Sequence, residues 1–217
     1  MKLVIGNKNY STWSMRPWLL MSAFNLDFEE IKVSLKLESM DERLGEYSPT
    51  HKIPILMDDE ITLWESLAIC EYVSEKYLDD KGWPEDRVLR AEARALCSEM
   101  NSGFMALRNE MPMNCRAKRK ITLSTEAAVD IARIDEIWST YSQKTVDKGQ
   151  WLMGEFSIAD CFFAPVASRF QTYGVVLSSA AQQYATQLLA HQSVRHWVEA
   201  GLLETEILEQ DEAGVDV

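Results

Sequence analysis

The sequence predicts an α/β domain followed by an all-helical domain. Short strands alternate with helices over residues 1–78, and amphipathic helical periodicity begins near residue 87. Between them lies the turn-rich segment Leu-Asp-Asp-Lys-Gly-Trp-Pro-Glu-Asp. A chain of 217 residues is long enough for two small domains. We therefore expect domains at residues 1–78 and 87–217, joined by a linker at residues 79–86.

The first 78 residues predict the order βαβ and then, after an irregular stretch, ββα. Lys2–Ile5 is a short apolar run and Phe28–Val33 has strand-like alternation. Two further strands flank the acidic turn Asp58-Asp59-Glu60, at residues 53–57 and 61–63. Helices are predicted over Met15–Phe24, with Ser14 as N-cap and Pro17 in the first turn, and over Glu65–Leu78.

After the linker, apolar residues recur every three or four positions, which indicates amphipathic helices. The clearest series is Leu89, Ala93, Leu96, Met100, Phe104, Leu107 and Met111. Ser157 and Asp160 have the spacing of a capping box at the start of another helix. A last helix over Val194–Ala200 is expected to stop at Gly201, and the acidic tail Glu209–Val217 is expected to fray.

Composition and charge exclude several classes of protein. With 22 basic and 34 acidic residues, the net charge is −12. Such a surface repels phosphate backbones, so we expect no nucleic-acid partner. The longest apolar run, Cys161–Ala167, is far shorter than the roughly 20 residues of a membrane span, and residues 1–8 do not resemble a signal peptide. Four separated cysteines and three histidines predict no metal site and a reducing, cytoplasmic location.

Four short motifs occur in order along the chain. Ser11–Arg16 comes first, and Ser48–Leu56 reads Ser-Pro-Thr-His-Lys-Ile-Pro-Ile-Leu. Glu65–Ile69 reads Glu-Ser-Leu-Ala-Ile, and Phe156–Asp160 comes last. Together these segments resemble those of glutathione transferases, and the first resembles the opening of bacterial serine-type, zeta- or tau-like members. The resemblance implies a thioredoxin-like first domain, glutathione as co-substrate, and a homodimer.

Thiol activation is the chemistry that this resemblance assigns to the first motif. A free thiol with a pKa near 8.5 is mostly protonated at pH 7, so an enzyme must stabilise the thiolate. A hydroxyl at a helix N-terminus can donate a hydrogen bond to the sulfur, and Ser11 is our candidate. Tyr10 is the rival, because it stands six residues before Arg16, a spacing typical of the tyrosine-type classes. Ser11 also suits a plain N-cap.

The second and third motifs predict the glutathione contacts. The resemblance implies a cis bond before Pro54, which turns the main chain of Ile53 towards the cysteinyl part of glutathione. Ser66 and the helix N-terminus are expected to hold the γ-glutamyl carboxylate, with Glu65 on the adjacent amino group. Lys52 is expected to reach the glycyl carboxylate, and His51 is a weaker candidate. Each of these residues also has an ordinary structural interpretation as a loop or cap residue.

The second substrate is expected between Trp13 and a methionine-rich stretch after residue 104. Flexible thioethers suit varied apolar ligands. Arg108 falls off the apolar series and is a candidate for an anionic co-substrate. The predicted electrophile pocket consists of Trp13, Met105, Arg108, Asn109 and Pro112.

These observations predict a glutathione S-transferase that conjugates the glutathione thiolate to a small, largely apolar electrophile, a detoxification chemistry, with peroxidase activity as a variant. A glutathione-dependent isomerase of the maleylacetoacetate type is an alternative. The zeta pattern has Ser-Ser-Cys in the opening loop, from which Ser11-Thr12-Trp13 departs. A non-enzymatic interaction module on the same fold is a further alternative.

Overall fold

The structure, a computed structural model, describes residues 1–36 and 40–217. Its N-terminal part contains a mixed four-stranded sheet in the order β2-β1-β3-β4, in which β1 and β2 are parallel and the other neighbours antiparallel. The strands are β1 (Lys2–Ile5), β2 (Glu29–Lys32), β3 (Ile55–Asp58) and β4 (Ile61–Trp64). The helices are α1 (Thr12–Ala23), α2 (Met40–Gly45) and α3 (Ser66–Tyr77). This is the thioredoxin-like arrangement that the resemblance implies, with α2 as an addition in the irregular stretch.

The C-terminal part is helical from residue 87 to residue 202. Its helices are α4 (Arg87–Ser102), α5 (Met105–Glu110), α6 (Thr125–Lys144), α7 (Ile158–Tyr173), α8 (Ser179–Ala190) and α9 (Gln192–Leu202). α7 is buried along nearly its whole length and packs against α1, α4 and α8. The capping box of Ser157 and Asp160 forms at its start, as predicted. In the described parts of the chain, every helix is too short or too polar to cross a membrane.

The start of α1 differs from the prediction. Ser11, not Ser14, is the N-cap, and its side chain accepts a hydrogen bond from the main-chain N–H of Ser14. The Ser14 hydroxyl instead accepts a hydrogen bond from the N–H of Gly6 at 3.1 Å, so it ties the helix to β1. The helix therefore begins three residues earlier than expected, and Pro17 lies in its second turn rather than its first.

The apolar series from Leu89 to Met111 is buried throughout, as predicted, but it does not form one continuous helix. α4 ends at Ser102, and Phe104 adopts a left-handed conformation with φ of 58° before α5 begins. Because the chain resumes with its apolar face still towards the core, periodicity alone does not reveal the break.

The end of the chain differs most from expectation. The tail is docked rather than frayed: β6 (Val215–Asp216) pairs with β5 (Arg119–Lys120), so the C-terminal part also contains a short antiparallel ladder. Gly201 lies inside α9 and does not stop it. A Cβ added at Gly201 would lie 3.2 Å from the main-chain nitrogen of Asn9. Glycine here permits close packing of α9 on the loop at residues 7–11, which we call the opening loop.

Candidate functional site

A cavity of about 660 Å³ lies between the sheet-containing part and the helical part of the molecule. All the residues predicted for the site line it, although they come from four separate stretches of sequence. They are Tyr10, Ser11, Trp13, Lys52, Ile53, Pro54, Glu65, Ser66, Met105, Arg108, Asn109 and Pro112, with His51 beside them. The structure therefore brings the predicted residues together, and their roles towards ligands stay predictions.

Ser11 presents a buried hydroxyl at the N-terminus of α1. Its Oγ donates to the Oγ of Ser14 at 2.8 Å, and the Ser14 Oγ also accepts from the Gly6 N–H. A hydroxyl has one proton and two acceptor positions. In the structure the Ser11 proton is donated to Ser14, so it reaches a group in the cavity when the hydroxyl rotates about its Cβ–Oγ bond. The positive end of the α1 dipole favours negative charge at the same point.

Tyr10 also lines the cavity, but its hydroxyl is engaged elsewhere. It donates to Glu212 in the C-terminal tail at 2.5 Å and accepts from the guanidinium of Arg116 at 2.8 Å. Burial, followed by the hydrogen bond to Glu212, raises the pKa of Tyr10. Its proton is therefore held by a carboxylate, whereas the Ser11 proton is held by the neutral hydroxyl of Ser14, a weaker acceptor. This difference favours Ser11 as the hydroxyl that serves a thiol.

The segment that leads into β3 places main-chain groups at the cavity. The peptide bond between Ile53 and Pro54 is cis, as predicted. Ile53 lies two residues before Ile55, the first paired residue of β3, so its N–H and C=O stand outside the strand ladder. Lys52, one residue earlier, is exposed at the cavity rim.

The N-terminus of α3 lines the cavity on the same side, and we call this surface the floor of the cavity. Glu65 is its N-cap, with φ of 67°, a conformation that costs a non-glycine residue about 1–3 kcal/mol. Its carboxylate makes no capping bond to the helix, so it is available to a ligand. Ser66 begins the helix and is fully buried. Its hydroxyl accepts from Arg16 at 3.2 Å, which leaves its own proton to donate.

Arg16 is the buried cation behind this floor. Its Nη1 donates to the Oγ of Ser66 and to the Oδ1 of Asn101. Its guanidinium carbon lies 4.2 Å from the ring centroid of Trp13 and 4.4 Å from that of Phe162. Burial, followed by repulsion from nearby arginines, lowers the pKa of Arg16 to about 9. The side chain stays charged at neutral pH and makes the floor attractive to carboxylates.

The opposite side of the cavity comes from α5 and the segment after it. Arg108 stacks on Trp13 at 5.0 Å and donates to the carbonyl oxygens of Gly103 and Met100. It therefore caps the broken end of α4 as well as lining the cavity. Met105 is exposed, as expected for a flexible wall, whereas Pro112 is buried.

Several lining residues were not found by sequence reasoning: Thr12, Leu35, Met40, Trp64, Asn101, Arg169 and Asp211. Thr12 adds a second hydroxyl to the cavity, and only its position next to Ser11 in the sequence could have indicated it. Arg169 lies on α7 among apolar residues, and Asp211 lies in the acidic tail, which the sequence predicts to be frayed. Neither has a local pattern that marks it as part of a site.

Comparison with known proteins places these observations in context. Residues 10–76 match the model of the glutathione S-transferase N-terminal domain. A solved glutathione transferase homologue from Burkholderia BGR1, with bound glutathione, is similar over 92% of this chain and 97% of its own, with a TM-score of 0.70 and 27% identity.

Two curated proteins show partial similarity. A probable maleylacetoacetate isomerase of Caenorhabditis elegans is 36% identical over 104 residues, covering 46% of this chain and 49% of the relative. A stringent starvation protein A homologue of Histophilus somni is 26% identical over 146 residues, covering 67% of this chain and 65% of the relative. The chain thus spans about half to two thirds of the length of these relatives.

Proposed function

By its first domain and by its fold over most of the chain, the protein belongs to the glutathione transferase family, and from this premise we propose that it is a glutathione S-transferase. It conjugates the thiolate of glutathione to a small electrophile. The observation that carries the proposal is the single cavity that unites Ser11, the Ile53 main chain and the α3 N-terminus.

In this proposal, glutathione lies along the first-domain side of the cavity. Its γ-glutamyl carboxylate accepts from the Ser66 hydroxyl and from the first N–H groups of α3, above the buried Arg16. Glu65 receives the adjacent ammonium group. The cysteinyl main chain pairs with Ile53 in the manner of an added strand, and Lys52 meets the glycyl carboxylate.

With glutathione so placed, its sulfur points towards the N-terminus of α1. The Ser11 hydroxyl turns from Ser14 to donate to the thiolate, while the main-chain N–H of Ser14 donates to the Ser11 oxygen. The α1 dipole adds to the stabilisation. The sulfur then attacks an electrophilic carbon held between Trp13 and α5. A sulfur–carbon bond forms, and either a leaving group departs with its bonding pair or an activated double bond takes up a proton.

A glutathione-dependent isomerase of the maleylacetoacetate type is the second candidate. It is supported by the 36% identity to the probable maleylacetoacetate isomerase. In that reaction the thiolate adds to the substrate and is later expelled, so the same Ser11 and the same glutathione contacts serve. An interaction module has less support, because such a module needs no buried polar floor at Ser66.

The proposal also includes the expected domain division at residues 1–78, 79–86 and 87–217, a cytoplasmic location and a homodimer. The four free cysteines, three of them buried, suit a reducing compartment.

Ile61 and Trp64 on β4 are each 41% exposed and offer apolar surface to a second copy. Light scattering at micromolar concentration should give the mass of two chains, and the mass of one chain would contradict the dimer.

The direct test is titration calorimetry with glutathione, followed by conjugation to 1-chloro-2,4-dinitrobenzene, a neutral electrophile whose chloride leaves. We expect binding and catalysed chloride release. If glutathione binds and chloride release matches the uncatalysed rate, the isomerase takes precedence and the purified protein should be assayed with a cis-unsaturated diketo acid. No glutathione binding would contradict both enzymatic functions.

A further inference from the structure

Arg169 is a buried cation that the proposed glutathione site does not use. It lies in α7, lines the cavity and is only 5% exposed. Its Nε has no hydrogen-bond partner, and no ion pair or hydrogen bond links its guanidinium to any other residue in the described ranges 1–36 and 40–217. A buried guanidinium without partners is costly, so its position at a cavity wall indicates a ligand that satisfies it.

The charges around the cavity also indicate an anionic ligand. Three cations line it, Lys52, Arg108 and Arg169, against two carboxylates, Glu65 and Asp211. Glutathione in the proposed pose uses Lys52 and Glu65. This leaves two arginines and one aspartate on the side facing the second substrate, within a protein whose net charge is −12.

The two remaining arginines differ in availability. Arg108 donates to main-chain carbonyl oxygens and stacks on Trp13, so most of its capacity is occupied. Arg169 has its donors free, while burial and, to a lesser extent, repulsion from Arg108 lower its pKa to about 9. Asp211 lies near enough to affect Arg169 electrostatically but forms no ion pair with it. Burial raises the pKa of Asp211, so it is a weak competitor for the cation.

Resting on the proposed function, we propose that the second-substrate side of the cavity takes an electrophile bearing a carboxylate, and that the carboxylate binds Arg169. A carboxylate accepts two parallel hydrogen bonds from a guanidinium, which fixes its orientation as well as its position. The inference replaces the expectation of a largely apolar electrophile with an amphipathic one. Its apolar body packs on Trp13 and Met105, and its acidic end points towards α7.

The test uses a matched pair of probes, 4-chloro-3-nitrobenzoate and its methyl ester. In both, the glutathione sulfur bonds to the ring carbon that carries chlorine, chloride leaves with the bonding pair, and the thiol proton goes to solvent. The readout is the kcat/KM of the acid divided by that of the ester, each corrected for its uncatalysed rate. We expect the corrected ratio to favour the acid.

Arg169→Met should lower this ratio roughly ten- to hundredfold, the effect of losing hydrogen bonds to a charged group. Arg169→Lys should restore part of it. Arg133→Met, at an exposed arginine of α6 that pairs with Glu99 and Glu136, is the matched control and should leave the ratio unchanged. A ratio that does not respond to Arg169→Met would overturn the inference. A loss of glutathione affinity without a change in the ratio would likewise overturn it and assign Arg169 to glutathione.

Asp211→Asn tests the same inference with the opposite sign. Removing this carboxylate should raise the ratio roughly fivefold, the size of one unit-charge repulsion in water-like surroundings. This variant decides the matter if Arg169→Met does not fold. An unchanged or lowered ratio contradicts a carboxylate at Arg169.

Binding separates this inference from the proposed function. Calorimetry with 3-nitrobenzoate and methyl 3-nitrobenzoate, neither of which reacts, gives the acid preference without catalysis. Failure of glutathione to bind contradicts the transferase, whereas a missing preference for the acid contradicts only the role of Arg169.

Discussion

The two walls of the cavity are built differently. The first wall, with Ser11, Ile53 and Ser66, belongs to one compact sheet-and-helix unit within residues 1–77. The second wall collects residues from α5, α7 and the C-terminal tail, which are far apart along the chain. The first wall holds hydroxyl and main-chain groups at helix and strand ends, whereas the second holds Arg108, Arg169 and Asp211 beside Asn109, Met105 and Pro112. The difference suggests a constant co-substrate on one side and a specific second substrate on the other.

The walls are also held by different bonds. In the first, Asp58 joins the β3–β4 hairpin to α3 through Tyr72, Lys76 and Tyr77, all within twenty residues. In the second, carboxylates from the chain after α9 contact residues near the start of the chain. Glu204 accepts from the main-chain N–H groups of Lys8 and Asn9, and Glu212 from Tyr10. The tail therefore anchors the opening loop that carries Ser11.

The largest expected effect is at Glu212. Its carboxylate accepts from Tyr10, Asn114 and Arg119 in a half-buried position. Glu212→Gln removes the charge and one acceptor, so we expect about 3 kcal/mol less stability in urea unfolding, since hydrogen bonds to charged groups are worth about 1.5–3 kcal/mol each. Glu209→Gln, at an exposed glutamate of the same tail, is the control and should change little. Equal effects of the two would mean that the tail does not anchor the opening loop.

A smaller and pH-dependent effect is expected at Asp58, at the end of β3. Burial alone would raise the pKa of Asp58, but hydrogen bonds from Lys76, Tyr77 and Tyr72 outweigh it and lower the pKa to about 2. The folded pKa lies below the unfolded one, so the contribution is present above about pH 4 and is lost as the pH falls towards 2. At pH 7, Asp58→Asn should cost about 2 kcal/mol.

Urea unfolding at several pH values checks this prediction. The difference between Asp58→Asn and the unmodified protein should shrink as the pH falls from 4 to 2. Asp59→Asn is the control, because Asp59 is exposed and its 3.8 Å ion pair with Lys76 contributes little. A difference that stays constant down to pH 2 would contradict the role of the carboxylate.

The smallest of these effects is on glutathione affinity. Ser66→Ala removes a hydrogen bond to the γ-glutamyl carboxylate, and we expect calorimetry to show affinity reduced about tenfold. Ser98→Ala, at an exposed serine of α4, should leave affinity as it is. Affinity that survives Ser66→Ala would mean that the γ-glutamyl group binds elsewhere, and the assignment of the first wall would be wrong.

The contrast between the walls also explains how far the sequence could predict the molecule. The first wall depends on local rules: a serine at a helix start, a proline before a strand and a glutamate–serine pair opening a helix. Each of these motifs occupies a few consecutive residues, so the sequence alone indicates it. The thioredoxin-like arrangement of the sheet is implied by the resemblance of these motifs to glutathione transferases, and its strand order and register come from the structure.

The second wall depends on tertiary packing, which sequence patterns do not encode. Arg169 sits in a strongly apolar helix, and only the approach of α5 and the tail turns its position into part of a cavity. The tail is acidic, which is typical of a solvated end, yet the Glu212 carboxylate accepts a hydrogen bond from Tyr10 in the opening loop, about two hundred residues earlier. Gly201 looks like a helix stop, but its use is close contact with Asn9.

The activation of the thiol by Ser11 is the central claim, and the ultraviolet absorbance of bound thiolate, followed against pH, tests it most directly. Ser11→Ala should raise the apparent pKa of bound glutathione by about one to two units, the equivalent of one charge-assisted hydrogen bond. Tyr10→Phe and Thr12→Val are the matched controls, since each deletes one neighbouring hydroxyl, and neither should move the pKa. A shift in Tyr10→Phe or Thr12→Val without one in Ser11→Ala would contradict the account, as would an unchanged pKa in all three variants.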